Sequence, residues 1–301
     1  MMYSDENSFL MSTGLKLKEI SEILCSSETD EEVEKKLKGK GEKYLRRYQL
    51  IKIYKEMVSS GEMKLSIVPI IAALPCVGKT TISREIATAL GIGNVMGGDA
   101  IRASYRELID ENEHPEFFCS IYGAWQFVGD KKETEENIIK GFYAQAKIMN
   151  DLMERIVADR GVRDGESMVV EYLHFLPSQY DPNVLNHPSV IPIVLRLESM
   201  DEWKRRIDER DRTSHLKGNS QRLIPALEKY KKMQEVQCED AKKIGVPIIT
   251  SDNMDEALDK VLDIIFDRIE KLIELKDVKE ESIEKLKKVE KERALNPDEK
   301  R

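Results

Sequence analysis

Residues 72 to 81 read AALPCVGKTT, and the last of these carry chemistry by type and spacing. Gly78, Lys79 and Thr80 are the residues that grip a polyphosphate. Backbone N–H groups at a helix start face the anion, a lysine reaches the β- and γ-phosphates, and a hydroxyl takes Mg²⁺. The start of the stretch departs from that pattern, because Ala73 stands five residues before Gly78 where a glycine is usual. One added methyl is tolerated if the local φ is negative and strains the turn if φ must be positive. Pro75 offers no N–H, and Cys76 is a small residue in a common glycine position. The residues expected to contact the nucleotide are therefore Ala73, Pro75, Cys76, Val77, Gly78, Lys79, Thr80 and Thr81. A Gly-Lys-Thr helix start with no ligand is the plainer alternative. The flanks argue against it, since LSIVPIIAAL has the length and composition of a strand and TISREIATAL those of a helix.

A phosphate loop says only that a nucleoside triphosphate binds, so the reaction must come from other side chains. Asp99 in GGDAIR follows a second short strand, where an acid can orient an attacking hydroxyl or accept its proton. A helix N-cap is the simpler role for it, and the two are compatible. Arg102 and Arg106 follow at one-turn spacing on the expected helix and could hold an anionic acceptor. Glu171 ends the apolar run MVV, and an acid at the end of a buried strand can share Mg²⁺ with Thr80. The alternative is a strand-end carboxylate meeting solvent. His174 is expected to be structural. Arg206 and Arg210 in WKRRIDERDR share a helix face and could form a mobile arginine lid over the transferring group. The acids Asp201, Glu202, Asp208 and Glu209 fit an exposed, ion-paired helix equally well. The expected catalytic set is Lys79, Asp99, Arg206 and Arg210, with Thr80 and Glu171 for the metal.

These residues need a frame. Apolar runs at 65–74, 168–172 and 189–197 and shorter ones near 95 and 247 alternate with helical patterns. That alternation predicts a three-layer α/β fold with a parallel sheet, of the P-loop NTPase and kinase type. Residues 1–45 read as a helical N-terminal extension, 46–270 as the kinase domain, and 271–301 as a charged helical tail. The apolar positions thin out after Leu275, which fits a solvated tail better than a dimerising coil, so a homodimer stays open. The net charge of −8 argues against nucleic acid or an anionic membrane as partner. Four scattered cysteines give neither a zinc pattern nor a disulfide framework. With no signal peptide and no apolar run of about 20 residues, the expected location is the cytoplasm.

Taken in order, RRYQLIKIY, VGKTTISREIATALGI, DAIR, SIYGAW, GFYAQA, VVEYLHFLP, WKRRIDERDR and VPIITSDN resemble the archaeal 2-phosphoglycerate kinase family over roughly residues 45 to 265. The resemblance implies transfer of the γ-phosphoryl of ATP to the 3-hydroxyl of 2-phosphoglycerate, giving 2,3-bisphosphoglycerate. Under it Gly78, Lys79 and Thr80 match the nucleotide loop, and Asp99 and Arg102 the acid and arginine after the second strand. Tyr122 and Trp125 match an aromatic pair and Gln145 a glutamine expected at the acceptor; Glu171 and His174 match the strand end, and Arg206 and Arg210 the lid. The family usually has Glu-Gly-Val-His where this chain has Glu171, Tyr172, Leu173 and His174. Tyr172 is expected to put a ring near the acceptor side. That opens two rival readings: a kinase of another phosphorylated small molecule or a nucleic-acid end, and a nucleotide-binding switch protein without transfer. The N-terminal extension is shorter than the nucleotide-binding regulatory domain of some family members, so no such regulation is expected.

Overall fold

The structure is a computed structural model and describes residues 9–275. After a helical turn at 9–11 come three helices: α1 (Leu17–Cys25), α2 (Asp30–Lys40) and α3 (Glu42–Ser59). Strand β1 (Val68–Ala72) leads through the phosphate-loop sequence into α4 (Lys79–Leu90), and β2 (Val95–Gly97) runs directly into α5 (Gly98–Tyr105). A 3₁₀ segment, Ile121–Phe127, precedes the long α6 (Glu135–Ile156). Then follow β3 (Val169–Tyr172), β4 (Val190–Arg196), α7 (Met200–Thr213), α8 (Leu227–Ile244), β5 (Ile248–Thr250) and α9 (Met254–Glu274).

The five strands form one parallel sheet in the order β2-β3-β1-β4-β5. All five residues of β1 are buried, as a central parallel strand covered on both faces requires. One core lies on the sheet face that carries Ile71, Val169, Leu173 and Leu195, packed against α3, α4 and α9. The other lies on the face of Ile70, Val170, Tyr172 and Val194, packed against Met149 and Met153 of α6 and Ala241 of α8. This is the expected three-layer arrangement.

Local chemistry sets the boundaries. Helix α4 ends at Leu90 because Gly91 turns left-handed at φ 62°, as the Leu-Gly pair suggests. The long helical pattern at 133–161 divides, and α6 gives way after Ile156 to a wider π turn, Val157–Arg163. There Gly161 passes so close to Val68 that a Cβ would lie 2.9 Å from its Cγ2. Leu10, Leu15, Ile20, Ile23, Leu37 and Tyr48 make a separate small core for the N-terminal helices. The expected domain edges at 45/46 and 270/271 both fall inside helices, α3 and α9. Most of the expected charged tail lies outside the described residues.

Candidate active site

The phosphate loop joins the C-terminal end of β1 to the N-terminus of α4, the edge of a parallel sheet at which ligands bind. Ala73 is fully buried and its N–H donates to the Tyr172 carbonyl at 3.4 Å. It does not have positive φ, so its methyl sits in the core at no conformational cost. The turn that needs left-handed geometry falls at Cys76 (φ 64°) and Gly78 (φ 116°). At Gly78 space is also short, since a Cβ would lie 2.7 Å from Sδ of Met254.

Three side chains hold the loop from behind. Trp203 Nε1 donates to the Pro75 carbonyl at 2.8 Å, and Arg206 Nη1 and Ser251 Oγ donate to the Val77 carbonyl at 2.7 and 2.8 Å. These bonds fix the loop before any phosphate arrives. Sequence reasoning missed Trp203 and Ser251. A lone tryptophan on an otherwise charged helix was the available signal for Trp203, and a position just past a strand end was the signal for Ser251.

At the loop's mouth Thr80 Oγ1 lies 3.1 Å from both carboxylate oxygens of Glu171, and Lys79 Nζ lies 3.7 Å from one of them. Parallel pairing sets this up, because Glu171 stands level with Ile71 on one side and Gly97 on the other. Burial pushes the Glu171 carboxyl up, Lys79 and Thr80 pull it down, and Asp99 pushes it up again. The hydroxyl and carboxylate are hard oxygen donors that suit Mg²⁺. Among the described residues no group of three or more His, Cys, Asp or Glu gathers as a metal cage. An ion here would therefore depend on these two side chains, phosphate oxygens and water.

Asp99 is exposed in the first turn of α5, and Gly97 occupies the cap position, so the N-cap role falls away. Gly98 beside it is obligatory, for a Cβ there would lie 2.2 Å from Cβ of Tyr172. Arg102 Nη2 donates to the carbonyls of Phe117 and Cys119 at 2.9 and 2.6 Å. Arg106 bonds the same two carbonyls, at 2.6 Å and 3.1 Å from its Nη2. Both guanidinium groups also lie near the Phe117 ring, 5.2 and 5.8 Å from its centroid. Neither has a carboxylate within ion-pair distance among the described residues, and Arg102 Nε is buried without a partner. Burial, and then the charge of Arg106, push Arg102 down to about 10. The charge of Asp99 reaches Arg102 and offsets only part of this, so two partly buried like charges side by side could take an anion.

Several expected site residues turn out otherwise. Gln145 is fully buried, and its amide is committed to protein: its nitrogen to the Glu116 and Cys119 carbonyls, its oxygen to His174 at 3.1 Å. It supports the loop that the two arginines hold and presents nothing to an acceptor. His174 is buried beside it and kept neutral, first by burial and then by Arg102, Lys79 and Arg106. Tyr122 and Trp125 form a half-buried wall on the 3₁₀ segment. Tyr122 packs edge-on to Tyr230 at 5.9 Å, and Lys229 lies 5.6 Å from the centre of the Trp125 ring. Arg206 is 10% exposed and bonds Glu202, Val77, Ser251 and Asp252, so it is a brace and not a lid arginine. Arg210, one turn on, is exposed and lies over the loop with Nη1 3.8 Å from Cys76 Sγ. Tyr172 also departs from expectation. Strand alternation turns its ring to the face opposite Glu171, where its hydroxyl meets Asn150 at 2.8 Å and Tyr180 at 2.6 Å.

No family model matches the chain. Among curated proteins it is 29% identical over 203 residues to a 2-phosphoglycerate kinase of Methanopyrus kandleri, covering 67% of this chain but only 62% of that protein's length. It is 30% identical over 217 residues to a 2-phosphoglycerate kinase of Methanocaldococcus jannaschii, covering 72% of this chain and 69% of the relative. A mevalonate-3-phosphate 5-kinase of Thermoplasma acidophilum is 29% identical over 193 residues, covering 64% of this chain and 92% of that protein. A solved structure described as a putative kinase from Chloroflexus aurantiacus shares 15% identity at a TM-score of 0.36, over 68% of this chain and 97% of that one, a likeness too slight to build on.

Proposed function

Since the chain belongs to the 2-phosphoglycerate kinase family, we propose that it transfers the γ-phosphoryl group of ATP to a hydroxyl of a small phosphorylated acid, with 2-phosphoglycerate the favoured acceptor and 2,3-bisphosphoglycerate the product. The observation that carries this reading is the pair Arg102 and Arg106, two neighbouring positive charges with no carboxylate at contact distance among the described residues, on the helix whose first turn holds Asp99. An acceptor bearing phosphate and carboxylate supplies the missing negative charge. Lys79 would reach the nucleotide's outer phosphates, and Arg210, on the surface above Cys76, is the lid arginine left free to meet the transferring group. Asp99 is exposed, its charge reaches Glu171 at the loop's mouth, and it would align the acceptor hydroxyl. Thr80 and Glu171 would hold Mg²⁺, which would supply positive charge against that building up on the transferring phosphoryl group.

A second acceptor has its own support. Mevalonate 3-phosphate also carries a phosphate, a carboxylate and a free hydroxyl, and the Thermoplasma relative named for it aligns over 92% of its length. The test is ADP release from Mg-ATP with 2-phosphoglycerate, 3-phosphoglycerate and mevalonate 3-phosphate in turn. Stimulation by 2-phosphoglycerate alone is the expected result. Stimulation by mevalonate 3-phosphate alone would move the acceptor and keep the chemistry. Nucleotide binding with stimulation by none of them would favour a nucleic-acid end or a switch protein.

A further inference from the structure

We propose that Gln145 and His174 are positioning residues for the acceptor: they fix the carbonyl loop on which Arg102 and Arg106 rest, and so set where the two arginines stand relative to Glu171. The proposal rests on the reading of Arg102 and Arg106 as the grip on the acceptor. Both arginines are held through one loop. Arg102 Nη2, Arg106 Nε and Arg106 Nη2 all donate to the carbonyls of Phe117 or Cys119. Nη1 of each arginine takes no protein partner among the described residues, so the loop decides where those two donors point.

Gln145 reaches from α6 and holds the same loop. Its amide nitrogen donates to the Glu116 carbonyl and, at 3.3 Å, to the Cys119 carbonyl. The Cys119 carbonyl thus receives both arginines and the glutamine. Carbonyls only accept, so the amide nitrogen must face the loop and the amide oxygen must face His174. That oxygen also only accepts, so the neutral ring carries its proton on Nε2 and donates it at 3.1 Å. His174 is in turn fixed to the end of β3. Asn150, further along α6, donates to the His174 carbonyl at 3.1 Å. Gln237 of α8 donates to the carbonyls on either side, Leu173 and Phe175, at 3.0 and 2.9 Å. His174 stands three residues past Glu171. A run of buried bonds therefore leads from the strand end that carries Glu171, through His174 and Gln145, to the two arginines. Buried polar networks of this kind rigidify what they join.

Initial rates of ADP formation from Mg-ATP are measured against 2-phosphoglycerate, or against mevalonate 3-phosphate should that be the acceptor. The variants are Arg102→Gln, Gln145→Met, His174→Leu and His174→Gln, with thermal unfolding as the folding control. Gln145→Met and His174→Leu are expected to raise the acceptor KM about tenfold or more and to leave the KM for ATP unchanged. His174→Gln returns an N–H donor to the place of Nε2 and should recover part of that loss. An unchanged acceptor KM in the folded variants would overturn the proposal. So would a rise shared equally with the KM for ATP, or equal values for the two His174 variants, since either marks a merely structural role. Should Gln145→Met fail to fold, the His174 pair decides. If Arg102→Gln leaves the acceptor KM unchanged, the acceptor reading fails first and this inference falls with it.

Discussion

At Glu171 opposing influences meet in one side chain. Burial outweighs the pull of Lys79 and Thr80, so the folded carboxyl sits above its ordinary value of 4.5. The folded protein therefore holds this proton more tightly than the unfolded chain. The resulting stability is complete below that ordinary value and is lost as pH rises through the folded one. Glu171→Gln keeps the shape and removes the charge. The variant is expected to melt at or above the parent's temperature at neutral pH without nucleotide, with a flatter melting curve against pH on the acid side, and to lose turnover. A lower melting temperature at neutral pH would mean that the Lys79 attraction outweighs burial. Lys79→Ala tests the loop itself. It should cut turnover by about 1,000-fold and leave the circular dichroism spectrum unchanged, and an unchanged rate would reject the lysine's role.

Helix α7 divides its labour between adjacent turns. Its inner face carries Trp203 and Arg206, which hold the loop's carbonyls, while Arg210 lies at the surface over Cys76. Arg206→Met removes charge-assisted bonds to three backbone carbonyls, at a cost of about 2 kcal/mol or more. For a chain of this size that corresponds to a melting temperature lower by about 5 °C, and a looser loop should raise the KM for ATP as well. Arg210→Ala should leave the melting temperature unchanged and lower kcat by about 100-fold. If the two variants behave alike, the division between brace and lid is wrong.

Over the whole molecule, Arg47 links the N-terminal helices to α9. It is fully buried, donates to the Thr13 carbonyl, and pairs with Asp259 at 2.8 Å and Asp263 at 2.6 Å. Both aspartates are more than a third exposed, so the main cost of losing Arg47 is the buried Thr13 carbonyl left unpaired, about 1–3 kcal/mol. Arg47→Leu should therefore lower the melting temperature and expose residues 9–40 to protease, while the sheet stays intact. No helix among the described residues is long and apolar enough to cross a membrane.

Local patterns were sufficient for much of this. The phosphate loop, the parallel α/β sheet and the strand-end position of Glu171 follow from short-range spacing, because strand alternation and helix periodicity act over a few residues. The Leu-Gly stop at 90–91 was legible for the same reason, while the need for glycine at 98 comes from the Tyr172 Cβ pressed against it and shows only in the structure. Contacts between distant segments were not. Nothing near Gln145 in sequence says that Cys119 and His174 will take both ends of its amide. Nothing near Arg206 says that the Val77 carbonyl, 129 residues away, will meet it. Tyr172 was misplaced because a sequence shows a large ring without showing which face of the sheet receives it. A residue's type and spacing fix what it can do, and only the packing of remote elements decides which partners compete for it.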